Sequence, residues 1–121
     1  MPSIAVPEAT TAPTFKSAHF IGVGGAGMSG IALVLHERGC RVTGSDLKTS
    51  RYIRQLTRAG VPIHVGHAAS TIDEFQPDVV VVSTAIPETN PELVRARELG
   101  IPVWHRAKML SALGYGRTTV A

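Results

Sequence analysis

The stretch HFIGVGGAGMSG, residues 19–30, decides the fold of this 121-residue chain. Gly22, Gly24 and Gly27 match the pattern G-x-G-x-x-G. The apolar segment 18–23 is typical of a buried strand, and from residue 28 the apolar residues recur at the spacing of one helical face. Strand, glycine turn and helix in this order predict a nucleotide-binding βαβ unit.

The glycines also indicate what this turn binds. A residue without Cβ adopts positive φ and lets another group approach the backbone closely. The N–H groups at the start of the next helix point at that group, and the helix dipole favours a negative charge there. We therefore predict a diphosphate at this turn. The alternative is that the glycines only make a tight turn with close helix–strand packing.

Composition excludes several other classes of function. The chain has 12 basic and 9 acidic residues and a net charge of +3. Arg51, Arg54 and Arg58 repeat at helical spacing, but no aromatic residues interleave with them, so a solvated helix face is predicted and nucleic-acid binding is not. The single Cys40 excludes an internal disulfide and fits a reducing compartment. Without a membrane-length apolar run or a secretory signal, the prediction is a cytoplasmic protein with no membrane partner.

Strands and helices are predicted to alternate along the chain. The strands cover residues 18–23, 40–45, 63–65, 79–82 and about 103–104; the helices cover about 27–38, 50–59, 70–75, 90–100 and 107–113. The continuous β-branched run at 79–82 indicates a strand covered on both faces, as in a parallel sheet. The predicted fold class is α/β: a Rossmann-like, doubly wound open sheet of about five parallel strands with flanking helices.

The predicted domain covers residues 18–114. Residues 1–17 are rich in Pro, Ala and Thr and are predicted to form a flexible N-terminal tail. Residues 115–121 are predicted to begin a strand or link into a further domain. Ligands of such sheets bind beyond the carboxyl ends of the strands. Those ends are predicted at residues 24–27, Asp46, residues 66–67 and residues 83–87, which we expect to form a single site.

With these residues in view, the chain resembles the Mur ligase family. The matching stretches are 19–32 (HFIGVGGAGMSGIA), 44–46 (GSD), 66–67 (GH), 80–86 (VVVSTAI), 90–92 (NPE) and 100–110 (GIPVWHRAKML). Lys108 departs from the family pattern, which has an acidic residue there. The resemblance implies an ATP-dependent ligase of peptidoglycan precursor synthesis. It would phosphorylate the lactyl carboxylate of UDP-N-acetylmuramate, and the amine of L-alanine would attack the acyl phosphate.

In that reading this segment holds the UDP part of the substrate and is inactive alone. No G-x-x-x-x-G-K-[ST] motif occurs in the sequence, so ATP and Mg²⁺ belong to the full-length enzyme, and no cofactor or metal is predicted here. Its partners would be UDP-N-acetylmuramate and the central and C-terminal domains of the same protein.

The predicted substrate-binding residues lie in the turns at the carboxyl edge of the sheet. Backbone donors to the diphosphate are Gly24, Gly25, Ala26, Gly27 and Met28, with a hydroxyl from Ser29. Asp46 and His67 are predicted to contact the uridine, Ser83 and Thr84 the ribose or phosphate, and Ala85 and Ile86 the pocket wall. No catalytic residue is predicted. The alternative roles are local capping for the hydroxyls and a solvated or incidental position for Asp46 and His67.

Two other functions fit parts of the pattern. The spacing of the three glycines and Asp46 also suits an NAD(P)-binding Rossmann domain of a dehydrogenase or a nucleotide sensor. Against it, a dinucleotide site normally uses a second mononucleotide-binding half, and only about five strands are predicted. The other possibility is an interaction module whose glycines are structural. The ligand that binds distinguishes the three functions: a uridine diphosphate sugar, an adenine dinucleotide, or neither.

Overall fold

The computed structural model describes residues 16–112 of the chain. The predicted segment 115–121 and most of the predicted tail lie outside the described residues. Within 16–112, five strands alternate with five helices. The strands are β1 (Ser17–Ile21), β2 (Arg41–Asp46), β3 (Ile63–Val65), β4 (Val79–Val82) and β5 (Val103–His105). The helices are α1 (Ala26–Glu37), α2 (Arg51–Ala59), α3 (Ala69–Phe75), α4 (Pro91–Glu98) and α5 (Arg106–Ala112).

All five strands pair in parallel, in the order β3-β2-β1-β4-β5. The chain builds outward from β1 to β3, then crosses back to place β4 on the other side of β1. The strand order therefore reverses between β1 and β4, which is where doubly wound sheets bind their ligands. This topology confirms the predicted fold class.

The helices cover the two faces of the sheet in separate layers. One core cluster joins β1, β2 and β4 to α1, α2 and α5, and it includes Phe20, Leu35 and Leu56. The second lies on the opposite face, where Val80 and Val82 pack with Ile72 of α3 and Leu93 of α4. The four valines of β4 are buried, alternating between the two clusters, as their unbroken β-branched run predicted.

The helix ends follow local chemistry that was legible in the sequence. Ser50 caps α2, because its hydroxyl accepts a hydrogen bond from the Ile53 N–H at 3.3 Å. Gly60 ends α2 at φ 101°, in the left-handed region. Asn90 caps α4 by accepting from the Glu92 and Leu93 N–H groups at 2.9 and 3.3 Å. These interactions confirm the predicted starts of both helices and the end of α2, while α4 ends at Glu98, two residues before the predicted end.

Strand β1 differs from its predicted range at both ends. It begins at Ser17 and ends at Ile21 rather than Val23. It ends early because the backbone turns at Gly22, whose φ is +81°. The N–H groups of Gly22 and Val23 then both donate to the Ser45 carbonyl of β2, at 2.8 and 3.0 Å. Residues 22–23 were predicted as strand from their apolar character, but they form a turn that is hydrogen-bonded to the neighbouring strand.

Candidate functional site

A cleft of about 430 Å³ opens at the carboxyl edge of the sheet, over the reversal of strand order. Most of the predicted site residues line it: Gly25, Gly27, Met28, Asp46, His67, Ser83, Ala85 and Ile86. Three more lining residues were not among the predicted contacts: Gly22, Leu47 and Arg106. Residues from five separate segments therefore meet in one cavity of the size that small-molecule sites have.

Of the predicted residues whose side chains the structure describes, three lie outside the lining of the cleft. Gly24 packs behind it, with its N–H donating to a carboxylate oxygen of Asp46 at 2.8 Å. Ser29 is buried in α1, and Thr84 is exposed. Ala26 begins α1, and its side chain is outside the described set. The structure thus uses the Gly24 amide to hold the loop, leaving the following residues to face the cleft.

The glycine loop fits its surroundings only without side chains at two positions. A Cβ on Gly22 would lie 2.9 Å from Ile86 Cδ1, and its positive φ is strained for other residues. A Cβ on Gly24 would lie 2.7 Å from Asp46 Oδ2 and 3.2 Å from Ile53 Cγ1. Gly25 differs, because a Cβ there would meet nothing within 4 Å. The space above Gly25 is the cleft itself.

Asp46 fixes this loop from the end of β2. Its Oδ2 accepts from the Gly24 N–H at 2.8 Å, and its Oδ1 accepts from the Leu47 N–H at 2.7 Å. Each carboxylate oxygen has lone pairs for a further donor. Asp46 therefore positions the glycine loop and still presents acceptors to the cleft.

The start of α1 presents unused hydrogen-bond donors to the cleft. The first N–H groups of a helix have no partner within the helix. Gly25 is the N-cap with φ −74° and ψ 151°, no side chain caps the helix, and its first turn has no acidic residue. Because Gly25, Gly27 and Met28 line the cleft, this electropositive end opens into it.

Arg106 adds a full positive charge opposite that helix end. It is the first residue of α5 and lines the cleft. Its Nη1 lies 3.8 Å from the position that a Cβ on Gly27 would occupy. Within residues 16–112 its guanidinium makes neither a hydrogen bond nor an ion pair. A free guanidinium beside a helix N-terminus is a site for an anion.

A network of buried hydrogen bonds runs from the core to His67 at the rim of the cleft. His19 of β1 contacts Thr43 Oγ1 through Nδ1 and Glu92 Oε1 through Nε2, both at 2.8 Å. The Ser45 hydroxyl donates to Glu92 Oε1 at 2.6 Å and lies 2.9 Å from His67 Nδ1. His19, Ser45 and Glu92 are completely buried. This network therefore connects Glu92, in the first turn of α4, to His67 at the rim of the cleft.

Glu92 is the acceptor on which this network of hydrogen bonds converges. Besides His19 and Ser45, the Ala68 N–H donates to its Oε2 at 3.0 Å. Burial by itself raises the pKa of Glu92, but the hydrogen bonds from His19, Ser45 and Ala68 and the charge of His19 outweigh it. The net result is a pKa below the ordinary value of 4.5. Glu92 is a buried carboxylate held in its charged form by donors.

No role was predicted for His19, Thr43, Ser45 or Glu92, although the sequence contains a pattern that indicates one. His19 interrupts an apolar strand, and Thr43 and Ser45 alternate along β2, so all three face one side of the sheet. Polar residues at period two on the buried face of a central sheet require partners. The partner, Glu92, comes from a helix more than forty residues away in sequence.

Two other kinds of functional feature are absent from residues 16–112. No group of three or more His, Cys, Asp or Glu side chains is placed to hold a metal ion there. No helix in that part of the chain is long and apolar enough to cross a bilayer.

Comparison with known proteins agrees with this geometry. Residues 17–117 match the Mur ligase family, catalytic domain. The chain is 58% identical over 95 residues to the UDP-N-acetylmuramate–L-alanine ligase of Rubrobacter xylanophilus, covering 78% of this chain and 21% of that protein. The crystal structure of the UDP-N-acetylmuramate–alanine ligase MurC from Thermotoga maritima superposes with a TM-score of 0.72 and 37% identity, covering 88% of this chain and 23% of that one.

A second solved structure is equally similar in shape. The UDP-N-acetylmuramate:L-alanyl-gamma-D-glutamyl-meso-diaminopimelate ligase of Neisseria meningitides gives a TM-score of 0.74 at 31% identity, over 81% of this chain and 31% of that one. The chain spans about a fifth of the length of the curated relatives that it matches. The family match covers well over half of the chain and confirms the resemblance seen in its sequence. The chain belongs to the Mur ligase family.

Proposed function

We propose that this chain is the UDP-binding domain of a UDP-N-acetylmuramate–L-alanine ligase. The observation that carries the proposal is that the uncapped N-terminus of α1 meets Arg106, which is unpaired within residues 16–112, in one cleft. Two relatives that act on UDP-N-acetylmuramate, by their names, share this fold at 37% and 31% identity. The domain holds the nucleotide end of the substrate and so places the distant carboxylate for reaction.

The diphosphate lies at the start of α1 in this proposal. The N–H groups of Gly25, Ala26, Gly27 and Met28 donate to its oxygens, and the helix dipole adds to their attraction. The Arg106 guanidinium neutralises charge from the other side, with the two-pronged geometry that suits phosphate. The cleft thus offers both a backbone cradle and a side-chain cation.

The uridine lies over the ends of β2 and β3. Asp46 and His67 line that part of the cleft and present acceptors to the nucleoside. Ser83 offers a hydroxyl from the end of β4, while Ala85 and Ile86 form an apolar wall. We keep Thr84 and Ser29 as weaker candidates, since neither lines the cleft.

The reaction itself requires domains beyond these residues. ATP-dependent formation of the amide with L-alanine needs a phosphate-binding loop, and this sequence has no G-x-x-x-x-G-K-[ST] motif. ATP and Mg²⁺ would therefore bind to the central and C-terminal domains of the complete, cytoplasmic enzyme. This chain alone is expected to bind its ligand without turning over ATP.

Ligand choice tests the proposal. In an amide NMR titration with UDP-N-acetylmuramate, we expect shifts at Gly25, Gly27, Asp46 and Ser83, and none of comparable size with NAD. Shifts with NAD alone would instead indicate a dehydrogenase or sensor domain. No response to either ligand would contradict UDP binding by this chain and favour glycines with a structural role.

Replacing Arg106 tests the diphosphate position. We expect Arg106→Gln to weaken UDP-N-acetylmuramate binding about tenfold, because a charge-assisted hydrogen bond to phosphate is lost. Calorimetric titration at two salt concentrations should also show a shallower salt dependence. Lys108→Gln is the matched control: Lys108 is on the same helix but lies over the Trp104 ring, 4.7 Å from its centroid. Equal affinities for wild type and Arg106→Gln would remove Arg106 from the site.

A further inference from the structure

The hydrogen bonds below His67 determine which of its ring nitrogens carries hydrogen. The Ser45 hydroxyl donates its only proton to Glu92 Oε1, at 2.6 Å. The Ser45 oxygen can therefore only accept from His67 Nδ1, 2.9 Å away. Glu92 Oε1, a negatively charged acceptor, lies 3.8 Å from the same nitrogen. Nδ1 thus faces two acceptors.

The direction of these hydrogen bonds cannot reverse, because Glu92 is an ionised acceptor that already receives further donors. His19 Nε2 donates to Oε1 at 2.8 Å and the Ala68 N–H donates to Oε2 at 3.0 Å. An ionised carboxylate accepts hydrogen bonds and donates none. Ser45 and Glu92 are each 0% exposed, so water does not replace either partner. The proton order from His67 through Ser45 to Glu92 is therefore fixed by the fold.

A neutral imidazole with hydrogen on Nδ1 has a lone pair on Nε2. His67 lines the cleft, its side chain is 10% exposed, and its Nε2 has no partner within residues 16–112. We propose that Ser45 and Glu92 are positioning residues that hold His67 as the Nδ1–H tautomer. They thereby place a hydrogen-bond acceptor at the uridine end of the cleft.

An acceptor at that point selects a ligand that brings a donor to it. This step rests on the proposed function. Uridine carries two kinds of donor: the imide N–H of the base and the hydroxyls of the ribose. Cytidine has no hydrogen on the corresponding ring nitrogen, so its lone pair would face that of Nε2. The shared chemistry is an N–H or O–H donor, and analogues separate the two sources.

Nitrogen chemical shifts of the ligand-free 121-residue chain test the tautomer. At a pH where the ring is neutral, long-range ¹H–¹⁵N correlation should show His67 Nδ1 as protonated and Nε2 as unprotonated, with His67→Ala identifying the signals. In Ser45→Ala we expect the protonated position to shift toward Nε2, because Nδ1 loses its acceptor. Ser83→Ala, which removes a hydroxyl elsewhere in the cleft, should leave the pattern unchanged. A wild-type ring protonated at Nε2 would overturn the inference, even if the variants did not fold.

Nucleotide analogues then identify the donor. Against UDP, we expect either CDP or a deoxy analogue of UDP to bind wild type about fivefold more weakly, the effect of about one hydrogen bond. The same analogue should lose most of that penalty in Ser45→Ala. A CDP penalty assigns the imide N–H, and a deoxy penalty assigns a ribose hydroxyl. Equal affinities throughout would overturn the acceptor role. Failure to bind UDP at all would count against the proposed function, while the ligand-free nitrogen shifts would still decide the tautomer.

Discussion

Gly24→Ala should weaken UDP-N-acetylmuramate binding at least tenfold while leaving the domain folded. The new Cβ would lie 2.7 Å from Asp46 Oδ2 and 3.2 Å from Ile53 Cγ1, so Asp46 has to turn away. The loop then loses the hydrogen bond from the Gly24 N–H to Asp46, and the free energy of unfolding falls by about 1–2 kcal/mol. Calorimetric titration and chemical denaturation measure the two effects.

Two neighbouring glycines provide the controls. Gly30→Ala lies in α1 at a position with nothing within 4 Å, and it should keep affinity and slightly raise stability. Gly25→Ala also meets no protein atom within 4 Å, yet Gly25 lines the cleft. We expect Gly25→Ala to keep its stability and lose affinity, since only the ligand occupies that space. Full affinity in both Gly24→Ala and Gly25→Ala would place the diphosphate elsewhere.

Glu92→Ala should cause the largest loss of stability, about 3–5 kcal/mol at neutral pH. It leaves His19, Ser45 and the Ala68 N–H without their acceptor inside the protein. Buried donors without partners are costly, and a domain of this size has little stability in reserve. Urea denaturation measures the change.

Glu98→Ala is the matched control on the same helix. Glu98 is 57% exposed and pairs with Arg95 at the surface, so its loss should cost less than about 1 kcal/mol. If Glu92→Ala lowered the free energy of unfolding no more than Glu98→Ala does, the buried hydrogen-bond network would not stabilise the domain.

Lowering the pH should remove the contribution of Glu92 to the free energy of unfolding. The folded-state pKa of Glu92 lies below its ordinary value of 4.5, because the donors around it outweigh its burial. Its stabilisation is therefore fully present above pH 4.5 and is lost as the pH falls through the folded-state pKa. The difference in unfolding free energy between wild type and Glu92→Gln should shrink from about pH 7 to about pH 3. A constant difference would contradict the assignment.

Local chemistry in the sequence determined most of the fold. The glycine turn, the Ser50 and Asn90 caps, Gly60 and the valines of β4 each specify a local geometry through backbone freedom, capping or burial. Because strands and helices alternate, these elements allow little besides a parallel doubly wound sheet. The carboxyl-edge position of the site follows from that topology, which is why most of its predicted residues meet in the cleft.

Only the tertiary structure decided what those residues contact. That Gly24 binds Asp46, that Arg106 faces the glycine loop, and that Glu92 reaches Ser45 and His67 depend on distances across the sheet. Each partner is twenty or more residues away in sequence, where local propensity carries no information. The sequence by itself therefore determined the parallel sheet, the edge at which the cleft opens and the family, because those depend on local pattern. The tertiary structure decided which polar groups hold the loop, which residues line the cleft and which groups contact His67 Nδ1, because these depend on distances across the sheet.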